Sequence, residues 1–426
     1  MMFSRKVATI RVFFPRHVYP VSRSCHTTAP QGPHLDIQYL CDPKNITEIS
    51  QNIANRKGIG NIQRVHELNN QLQALNRNDK AYEPTRLELV SEALKIPNRT
   101  HPHVSQYGDS PKTVTIVGAK PPDGPHLDFQ EICKKLRLLR TDQLGNFSGS
   151  KSYYLLGEMA ELEHALIRYV TSNLIKKKFE LVSVPDILPR GVIEGCGMNT
   201  RGARTQVYAL DEALHGPDLC LSGTSEMALA GYLAQKTLNR DFLPLRLAAV
   251  SRCYRAETSN LLEERGIYRV HEFTKVEMFV VTQPQDSDRV LEEILGVEME
   301  VFGGLGLHFQ VLDMPPCELG AQAYRKYDIE AWMPGRGLYG EISSCSNCLD
   351  YQARRLGIRT HDGFVHTLNG TACAIPRLLI ALVEMGQRRN GTVEVPEVLW
   401  PHMGGKKLIG KQKHVPELRL IKNKKV

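Results

Sequence analysis

The stretch from Ser251 to Phe279, SRCYRAETSNLLEERGIYRVHEFTKVEMF, constrains the fold more than any other part of the sequence. Its two ends, SRCYRAE and IYRVHEFTKVEMF, have the composition and alternation of β-strands. A polar connection that contains Ser259, Asn260 and Gly266 separates them. Two such runs joined by a turn-rich loop predict an antiparallel β-hairpin.

The predicted hairpin carries many charged side chains. They include Arg252, Arg255, Arg265, Arg269, Glu257, Glu272 and Glu277, and Phe273 lies among them. An arginine that is fixed on a strand is suited to bidentate contact with a phosphate. A surface hairpin with weak salt bridges would have the same composition. The hairpin alone therefore leaves both interpretations open.

The positive charge of the chain lies at its two ends. The formal net charge is +8 over 426 residues. Residues 1–35 contain five basic residues and no acidic one, and the segment from Lys406 onward contains eight basic residues and one acidic residue. The part between them is close to neutral. Its length and hydrophobic content predict a sizeable core and more than one domain.

The N-terminal segment has the composition of a mitochondrial transit peptide. It is rich in arginine, lacks acids and mixes apolar with hydroxyl-bearing residues, as such peptides do. Residues 1–35 are therefore predicted to direct the chain to the mitochondrial matrix and to be removed, although a disordered basic tail would look the same. No apolar run approaches the ~20 residues that a membrane helix needs, so no membrane partner is expected.

The cysteines do not form a regular pattern. Cys345 and Cys348 resemble half of a zinc knuckle, but no second Cys or His pair lies at a matching distance. Reduced thiols are therefore predicted rather than a zinc site.

Residues 45–77 and 85–95 have helical periodicity. The first run carries an apolar heptad seam formed by Val65, Leu68, Leu72 and Leu75, which predicts an antiparallel helical arm whose first helix could reach about 45 Å. A small helical cap on the main domain is the alternative. Residues 96–125 are rich in Pro, Gly, His and Ser, which predicts an extended linker.

The middle of the chain alternates helices and strands. Residues 153–178 predict a long amphipathic helix, and residues 179–184 predict a strand. In the segment LSGTSEMALAGYL, Thr224 is placed as the N-cap of a helix. Capping alone would explain Thr224 and Ser225.

A second dense stretch follows near the C-terminus. It comprises GEISSCSNCLDYQARR at residues 340–355 and GFVHTLNGTACAIPRLLIALVE at residues 363–384. Arg377 opens the apolar helix of the second segment and needs an anionic partner. That partner could be a structural carboxylate or a phosphate, which helix N-termini favour. Neither GxxxxGK[ST] nor GxGxxG is present, so P-loop and Rossmann chemistry are not supported.

Taken together, residues 36 to 400 resemble the class II aminoacyl-tRNA synthetases, and among them the mitochondrial seryl-tRNA synthetases. YRAE at residues 254–257 with RVHEFTKVE resembles motif 2 of the class. GEISSCSN, HTLNG and the Pro376-Arg377 helix resemble motif 3, and residues 179–185 resemble the dimer-forming motif 1. The TSE loop at residues 224–226 is of the serine type. Glu272 stands where the family often has Gln, and Pro376 where it often has Gly.

The resemblance implies an α+β fold. An antiparallel β-sheet flanked by helices would form the catalytic domain, and an N-terminal helical region, a short coiled coil, would form a tRNA-binding arm. The implied domains are a transit peptide (1–35), the arm with its linker (36–115), the catalytic domain (116–400) and a basic C-terminal tail (401–426).

The resemblance also implies an activity and a set of site residues. Serine would be activated with ATP to seryl-adenylate and transferred to mitochondrial tRNA(Ser). The implied catalytic residues are Arg255 and Arg377. The implied ATP-binding residues are Arg255, Ala256, Glu257, Arg269, Val270, Phe273, Glu341, Ile342, Ser343, Ser344 and Arg377. The implied serine-binding residues are Thr224, Ser225, Glu226, Arg255, Glu277, Asn369 and Thr371. Glu341 and Ser344 would hold Mg²⁺ together with ATP.

The implied partners are serine, ATP, mitochondrial tRNA(Ser) and a second copy of the chain. The arm is shorter than is usual in the family, so the basic tail is a second candidate for contact with tRNA phosphates. A catalytically inactive, synthetase-like mitochondrial protein that binds tRNA or another synthetase is the alternative function. The sequence leaves open where the transit peptide is cleaved, which serine tRNAs are charged, how arm and tail share the tRNA, and whether there are extra partners.

Overall fold

The computed structural model describes residues 32–58, 60–122, 124–141, 148–202, 205–216, 218–258 and 265–415. Nearly all of the predicted transit peptide lies outside the described residues. So do Ser259 and Asn260 of the hairpin connection and the last part of the basic tail, from residue 416 onward.

The described residues form twelve α-helices and sixteen strands. The helices are α1 (Ile37–Cys41), α2 (Ile46–Asn55), α3 (Ile62–Ala74), α4 (Tyr82–Leu94), α5 (Phe129–Leu136), α6 (Glu158–Lys176), α7 (Arg190–Gly195), α8 (Glu212–His215), α9 (Ser225–Leu233), α10 (Ser287–Gly304), α11 (Tyr351–Leu356) and α12 (Ile375–Met385). The strands are β1 (Lys112–Val117), β2 (Leu139–Arg140), β3 (Tyr154–Leu155), β4 (Glu180–Leu181), β5 (Ile187–Pro189), β6 (Leu219–Leu221), β7 (Leu245–Tyr254), β8 (Glu272–Thr282), β9 (Phe309–Asp313), β10 (Arg325–Met333), β11 (Leu338–Asn347), β12 (Arg359–Thr360), β13 (Gly363–Phe364), β14 (His366–Ala374), β15 (Val393–Glu394) and β16 (Leu408–Ile409). No helix in these described ranges combines the length and the apolarity that a membrane span requires.

An eight-stranded sheet forms the centre of the molecule. Its strand order is β1-β9-β10-β11-β14-β8-β7-β4. The neighbouring strands are antiparallel except for β4, which pairs with β7 in parallel. This sheet with its flanking helices confirms the predicted α+β architecture.

Both faces of the central strand β8 are buried because its side chains alternate between two cores. Val276, Met278 and Val280 pack with α6, α10 and α12. Phe279 and Val281 face the other side and pack with α7, α9 and α11. Towards the N-terminal end of β8, this second face carries polar and aromatic side chains instead, and the pocket described below lies there.

The predicted hairpin is confirmed, but its two strands begin at other residues than predicted. Pairing begins at Leu245, and the second strand begins only at Glu272. Residues 267–271, predicted to belong to that strand, form a turn instead. Ile267 and Val270 are both buried in the core. Their spacing of three residues suits a turn, so burial overrides the local alternation here.

The N-terminal region is helical, as predicted, but it is compact. The predicted long first helix is interrupted at residues 56–61. The backbone passes close to Ile96 there, since a Cβ on Gly60 would lie 2.8 Å from Ile96 Cδ1. Helices α3 and α4 contain 13 residues each, which corresponds to roughly 20 Å rather than about 45 Å. Hydrogen bonds from Asn52, Arg56 and Asn98 fasten the region to itself and to the main domain. The structure therefore matches the helical cap better than a projecting arm.

Two predicted boundaries also differ from the structure. Residues 112–117 of the predicted linker form β1 and pair with β9 at the edge of the sheet. The predicted tail is attached to the main domain in its first part: β16 pairs with β15, and Lys406 forms an ion pair with Glu161 at 2.5 Å. Long-range pairing of this kind leaves no local signal in the sequence.

Glu298 on α10 is a buried acid beneath the sheet. Its side chain is 0% exposed, and its polar neighbours are the Cys345 thiol and the Ser343 hydroxyl rather than a cation of the described chain. A Cβ on Gly370 would lie 2.8 Å from Glu298 Oε1, so β14 covers it closely. Burial raises the pKa of Glu298 well above the usual value for a glutamate. The folded protein therefore keeps a proton that the unfolded chain releases.

This proton makes the stability of the protein depend on pH. Above the unfolded pKa of about 4.3, the free energy of unfolding falls with rising pH by up to about 1.4 kcal/mol per pH unit until the raised pKa is reached. Glu298→Gln cannot lose that proton, so we expect its stability relative to the wild type to increase between about pH 5 and about pH 8. Urea unfolding at both pH values measures this. Glu300→Gln, at an exposed acid of the same helix, is the control, and equal pH dependence of the two variants would contradict the assignment.

Candidate active site

One pocket collects most of the predicted site residues. Fifteen of them line it: Thr224, Glu226, Arg255, Glu257, Arg269, Val270, Phe273, Glu277, Glu341, Ile342, Ser343, Ser344, Asn369, Thr371 and Arg377. Two do not. Ser225 is buried in the first turn of α9, and the backbone N–H of Ala256 donates to the carbonyl of Gln206. The side chain of Ser225 is covered by its surroundings and does not line the pocket.

Arg255 directly follows β7 at the mouth of the hairpin. Its backbone N–H donates to the His271 carbonyl at 2.8 Å, which extends the pairing past the end of the strand. Its Nε lies 3.4 Å from the Gly223 carbonyl, and its guanidinium lies 5.3 Å from the ring centroid of Phe273. None of the described carboxylates is within ion-pair distance of Arg255. Its positive charge is therefore available to an anion that enters the pocket.

The other two arginines of the pocket have carboxylate partners. Arg269 lies 3.3 Å from Glu257, and Arg377 lies 3.0 Å from Glu341. The guanidinium of Arg377 also lies over the ring of Tyr268, 4.5 Å from its centroid. The anionic partner that the sequence requires for Arg377 is thus Glu341 in this structure. A phosphate in the pocket would compete with these carboxylates for both arginines.

The polar face of β8 forms the floor of the pocket. Phe273, Lys275 and Glu277 share this face because side chains alternate along a strand. Lys275 and Glu277 form a buried ion pair. Thr371, opposite Glu277 on β14, donates to Glu277 Oε2 at 3.2 Å. The Glu277 carboxylate and the neighbouring Thr371 hydroxyl can both accept hydrogen bonds, which suits the ammonium and hydroxyl of a small polar amino acid.

A β-bulge brings Glu341 and Ser344 to the same face of β11. Glu341 pairs with Glu330 and Ser343 with Ile329, so Ile342 is the additional residue. Without the bulge, two residues three apart would point to opposite faces. Burial works to raise the pKa of Glu341, but Arg377 and Lys326 outweigh it and hold the pKa below its usual value. Glu341 is therefore ionised and presents a hard oxygen ligand beside the hydroxyl of Ser344.

The TSE loop lies at the other end of the pocket. Thr224 caps α9, as predicted, by accepting a hydrogen bond from the backbone N–H of Glu226 at 3.4 Å. Glu226 is buried and accepts a hydrogen bond from Gln352 Nε2 at 2.6 Å. Burial, together with the neighbouring Glu277, raises the pKa of Glu226. Thr224 therefore caps the helix and lines the pocket at the same time.

Several residues of the pocket were not identified from the sequence. They include Tyr268, Lys275, Gln322, Lys326 and Ser346. The alternation between Phe273 and Glu277 could have identified Lys275. Lys326 and Ser346 face each other across β10 and β11, and Gln322 lies in a loop, so no local pattern reveals them.

Comparison with known proteins identifies the family of the chain. Residues 208–386 match the family model of the tRNA synthetase class II core domain (G, H, P, S and T). The chain is 47% identical to the mitochondrial serine–tRNA ligase of Mus musculus over 342 residues, which are 77% of this chain and 65% of that protein. The match thus spans less than two thirds of the length of this mitochondrial relative.

Two further relatives extend the comparison. The serine–tRNA ligase of Rubrobacter xylanophilus is 43% identical over 325 residues, which are 74% of this chain and 76% of that protein. A crystal structure of seryl-tRNA synthetase from Pyrococcus horikoshii complexed with ATP superposes with a TM-score of 0.74 at 28% identity and covers 87% of this chain and 100% of that chain. On these matches, the chain belongs to the serine–tRNA ligase family of class II aminoacyl-tRNA synthetases.

Proposed function

We propose that this protein is a mitochondrial serine–tRNA ligase, which activates serine with ATP to seryl-adenylate and transfers serine to mitochondrial tRNA(Ser). The observation that carries the proposal is the pocket itself. It combines the available charge of Arg255 with the polar floor formed by Lys275, Glu277 and Thr371. Relatives in this family bear the same activity in their names, and one was crystallised with ATP.

The proposed activation step joins two anions. The serine carboxylate attacks the α-phosphorus of ATP, the new P–O bond gives seryl-adenylate, and the bond to pyrophosphate breaks. No side chain needs to act as a general base, because the carboxylate is already a nucleophile. Arg255 binds the α-phosphate and the serine carboxylate together, so it both positions them and offsets their charge.

The remaining ATP contacts follow from the pocket walls. Phe273 stacks on one face of the adenine and Arg377 on the other, and Glu257 accepts a hydrogen bond from the adenine amino group. Arg269 binds the bent triphosphate. Because Arg269 and Arg377 each have a carboxylate partner in the pocket, ATP must exchange these contacts for its own.

Serine is selected by the hydrogen-bonding groups at the floor. Glu277 accepts from the serine ammonium and hydroxyl, and Thr371 contacts the hydroxyl. Alanine lacks that hydroxyl and would leave buried polar groups unpaired, which a polar site rejects strongly.

Mg²⁺ is proposed to bind together with ATP. Glu341 and Ser344 fit it, because a carboxylate and a hydroxyl are hard oxygen ligands on one face of β11. Across the described ranges, no group of three or more His, Cys, Asp or Glu could hold a metal ion by itself. The phosphate oxygens of ATP would therefore complete the ligands, and the ion would offset their negative charge.

The proposed setting is a homodimer in the mitochondrial matrix that binds serine tRNA. Exposed apolar side chains near the edge strand β4, Ile175, Leu181 and Val250, support a dimer interface, which light scattering tests. Residues 1–35 support import, which imaging of fusions with and without them tests. The compact helical region and the basic C-terminal tail are the candidate tRNA contacts.

No observation favours the catalytically inactive alternative. Arg255, Glu277, Glu341 and Arg377 are all present and line one pocket. Aminoacylation of mitochondrial serine tRNA by the purified protein tests the proposal. Charging with serine is expected, and tRNA binding without any charging would favour the alternative.

A further inference from the structure

The N-terminal region binds every backbone carbonyl of a loop at one wall of the pocket. This loop, residues 320–324, leads into β10. All five of its backbone carbonyl groups accept hydrogen bonds from N-terminal residues between Arg56 and His101. The donors are Arg56 for Gly320 and Ala323 (the latter at 2.9 Å), the backbone of Asn98 for Ala321 (2.8 Å), the side chain of Asn98 for Gln322 (2.8 Å) and the backbone of His101 for Tyr324 (3.0 Å).

The opposite side of the loop faces the pocket. Gly320, Gln322 and Ala323 line it. Gln322 lies against Gly197, and the preceding Cys196 carbonyl accepts from Gln352 Nε2, which also donates to Glu226 at the end assigned to serine. Gln322 is packed tightly there: a Cβ on Gly197 would lie 3.0 Å from Gln322 Cβ. A displacement of the loop would therefore change the wall of the serine end directly.

Burying the charged guanidinium of Arg56 costs folding free energy, which a purely structural contact would not require. It is 6% exposed, and no carboxylate of the described chain lies within ion-pair distance of its guanidinium. Burial lowers its pKa to about 10. Backbone carbonyls of Asn98, Arg99, Gly320 and Ala323 surround the cation instead. A planar guanidinium reaches several carbonyls at once, which a lysine ammonium does not reproduce.

We propose that Arg56 is a positioning residue for serine activation. From the N-terminal region, it holds the loop 320–324 against the serine end of the pocket, and the helical cap thereby forms the outer support of the active site. This inference rests on the proposed function. It assigns the cap a part in the first reaction, before any tRNA is bound.

The test compares Arg56→Met and Arg56→Lys with the wild type in ATP–pyrophosphate exchange without tRNA. We expect Arg56→Met to raise the KM for serine about tenfold while the KM for ATP changes by less than about twofold, because the loop packs against Gly197 on the side of Glu226. Arg56→Lys should be intermediate. Arg64→Met is the matched control, since Arg64 lies in the same helical region but forms only exposed ion pairs with Glu67 and Glu88. It should behave as the wild type.

The outcomes separate the two proposals. A wild-type protein without exchange would overturn the proposed function itself. An active wild type with an unchanged serine KM in folded Arg56→Met would overturn the positioning role, as would an equal rise in both KM values. If Arg56→Met does not fold, Asn98→Ala removes the side-chain bond to the Gln322 carbonyl and must raise the serine KM selectively for the inference to stand.

Discussion

Arg255→Ala is expected to lose serine-dependent ATP–pyrophosphate exchange by at least about a hundredfold, because a preorganised charge at the reacting phosphate is removed. The other pocket arginines do not replace it, since in the proposed complex Arg269 binds the triphosphate and Arg377 stacks on the adenine. The fold should tolerate the change. The side chain of Arg255 makes one long hydrogen bond, at 3.4 Å, and no ion pair with a described acid. Exchange rates and the melting temperature measure both expectations.

The matched control for Arg255→Ala is Arg246→Ala on the same strand. Arg246 is also partly buried, but it lies at the other end of β7 and pairs with Glu293 at 2.9 Å. It should retain exchange near the wild-type rate. Equal activity of the two variants would remove Arg255 from its role at the α-phosphate.

Glu277→Gln is expected to affect serine use and stability together. Its carboxylate is the proposed acceptor for serine, so kcat/KM for serine should fall by about a hundredfold or more, as in sites that bind a substrate through buried polar groups. The change also leaves Lys275 buried without its partner, since both side chains are at most 7% exposed. Breaking such a pair costs about 3–5 kcal/mol, which urea unfolding measures.

A double variant separates these two effects. Adding Lys275→Met to Glu277→Gln removes the unpaired charge and should recover most of the lost stability. Serine activation should stay low, because the acceptor is still missing. Recovery of activity along with stability would show that Glu277 acts only through the fold.

The sequence predicted the hairpin and most of the pocket for identifiable reasons. Phe273 and Glu277 share a face by simple alternation, and Thr224 has the local signature of a helix cap. Glu341 and Ser344 are different, because only the bulge at Ile342 places them together. Their proposed role as Mg²⁺ ligands came from the family resemblance, since alternation alone would have separated them.

The remaining differences arise from contacts between distant parts of the chain. Of the predicted seam, Val65, Leu68 and Leu72 are buried, whereas Leu75 lies just past the end of α3 and is only half-buried. No periodicity reveals that the helices lie against the main domain. Likewise, β1 forms because it pairs with β9 at the edge of the sheet. Lys326 lines the pocket because strand pairing places it opposite Ser346. Such pairings depend on the assembled sheet and not on the composition of either segment.

ATP–pyrophosphate exchange with the full-length protein, Mg²⁺ and each amino acid in turn is the most direct test of the central claim. The pocket formed by Arg255, Glu277 and Thr371 predicts exchange with serine and little with alanine or threonine. Absence of exchange with serine, or faster exchange with another amino acid, would contradict the assignment of this pocket to serine activation.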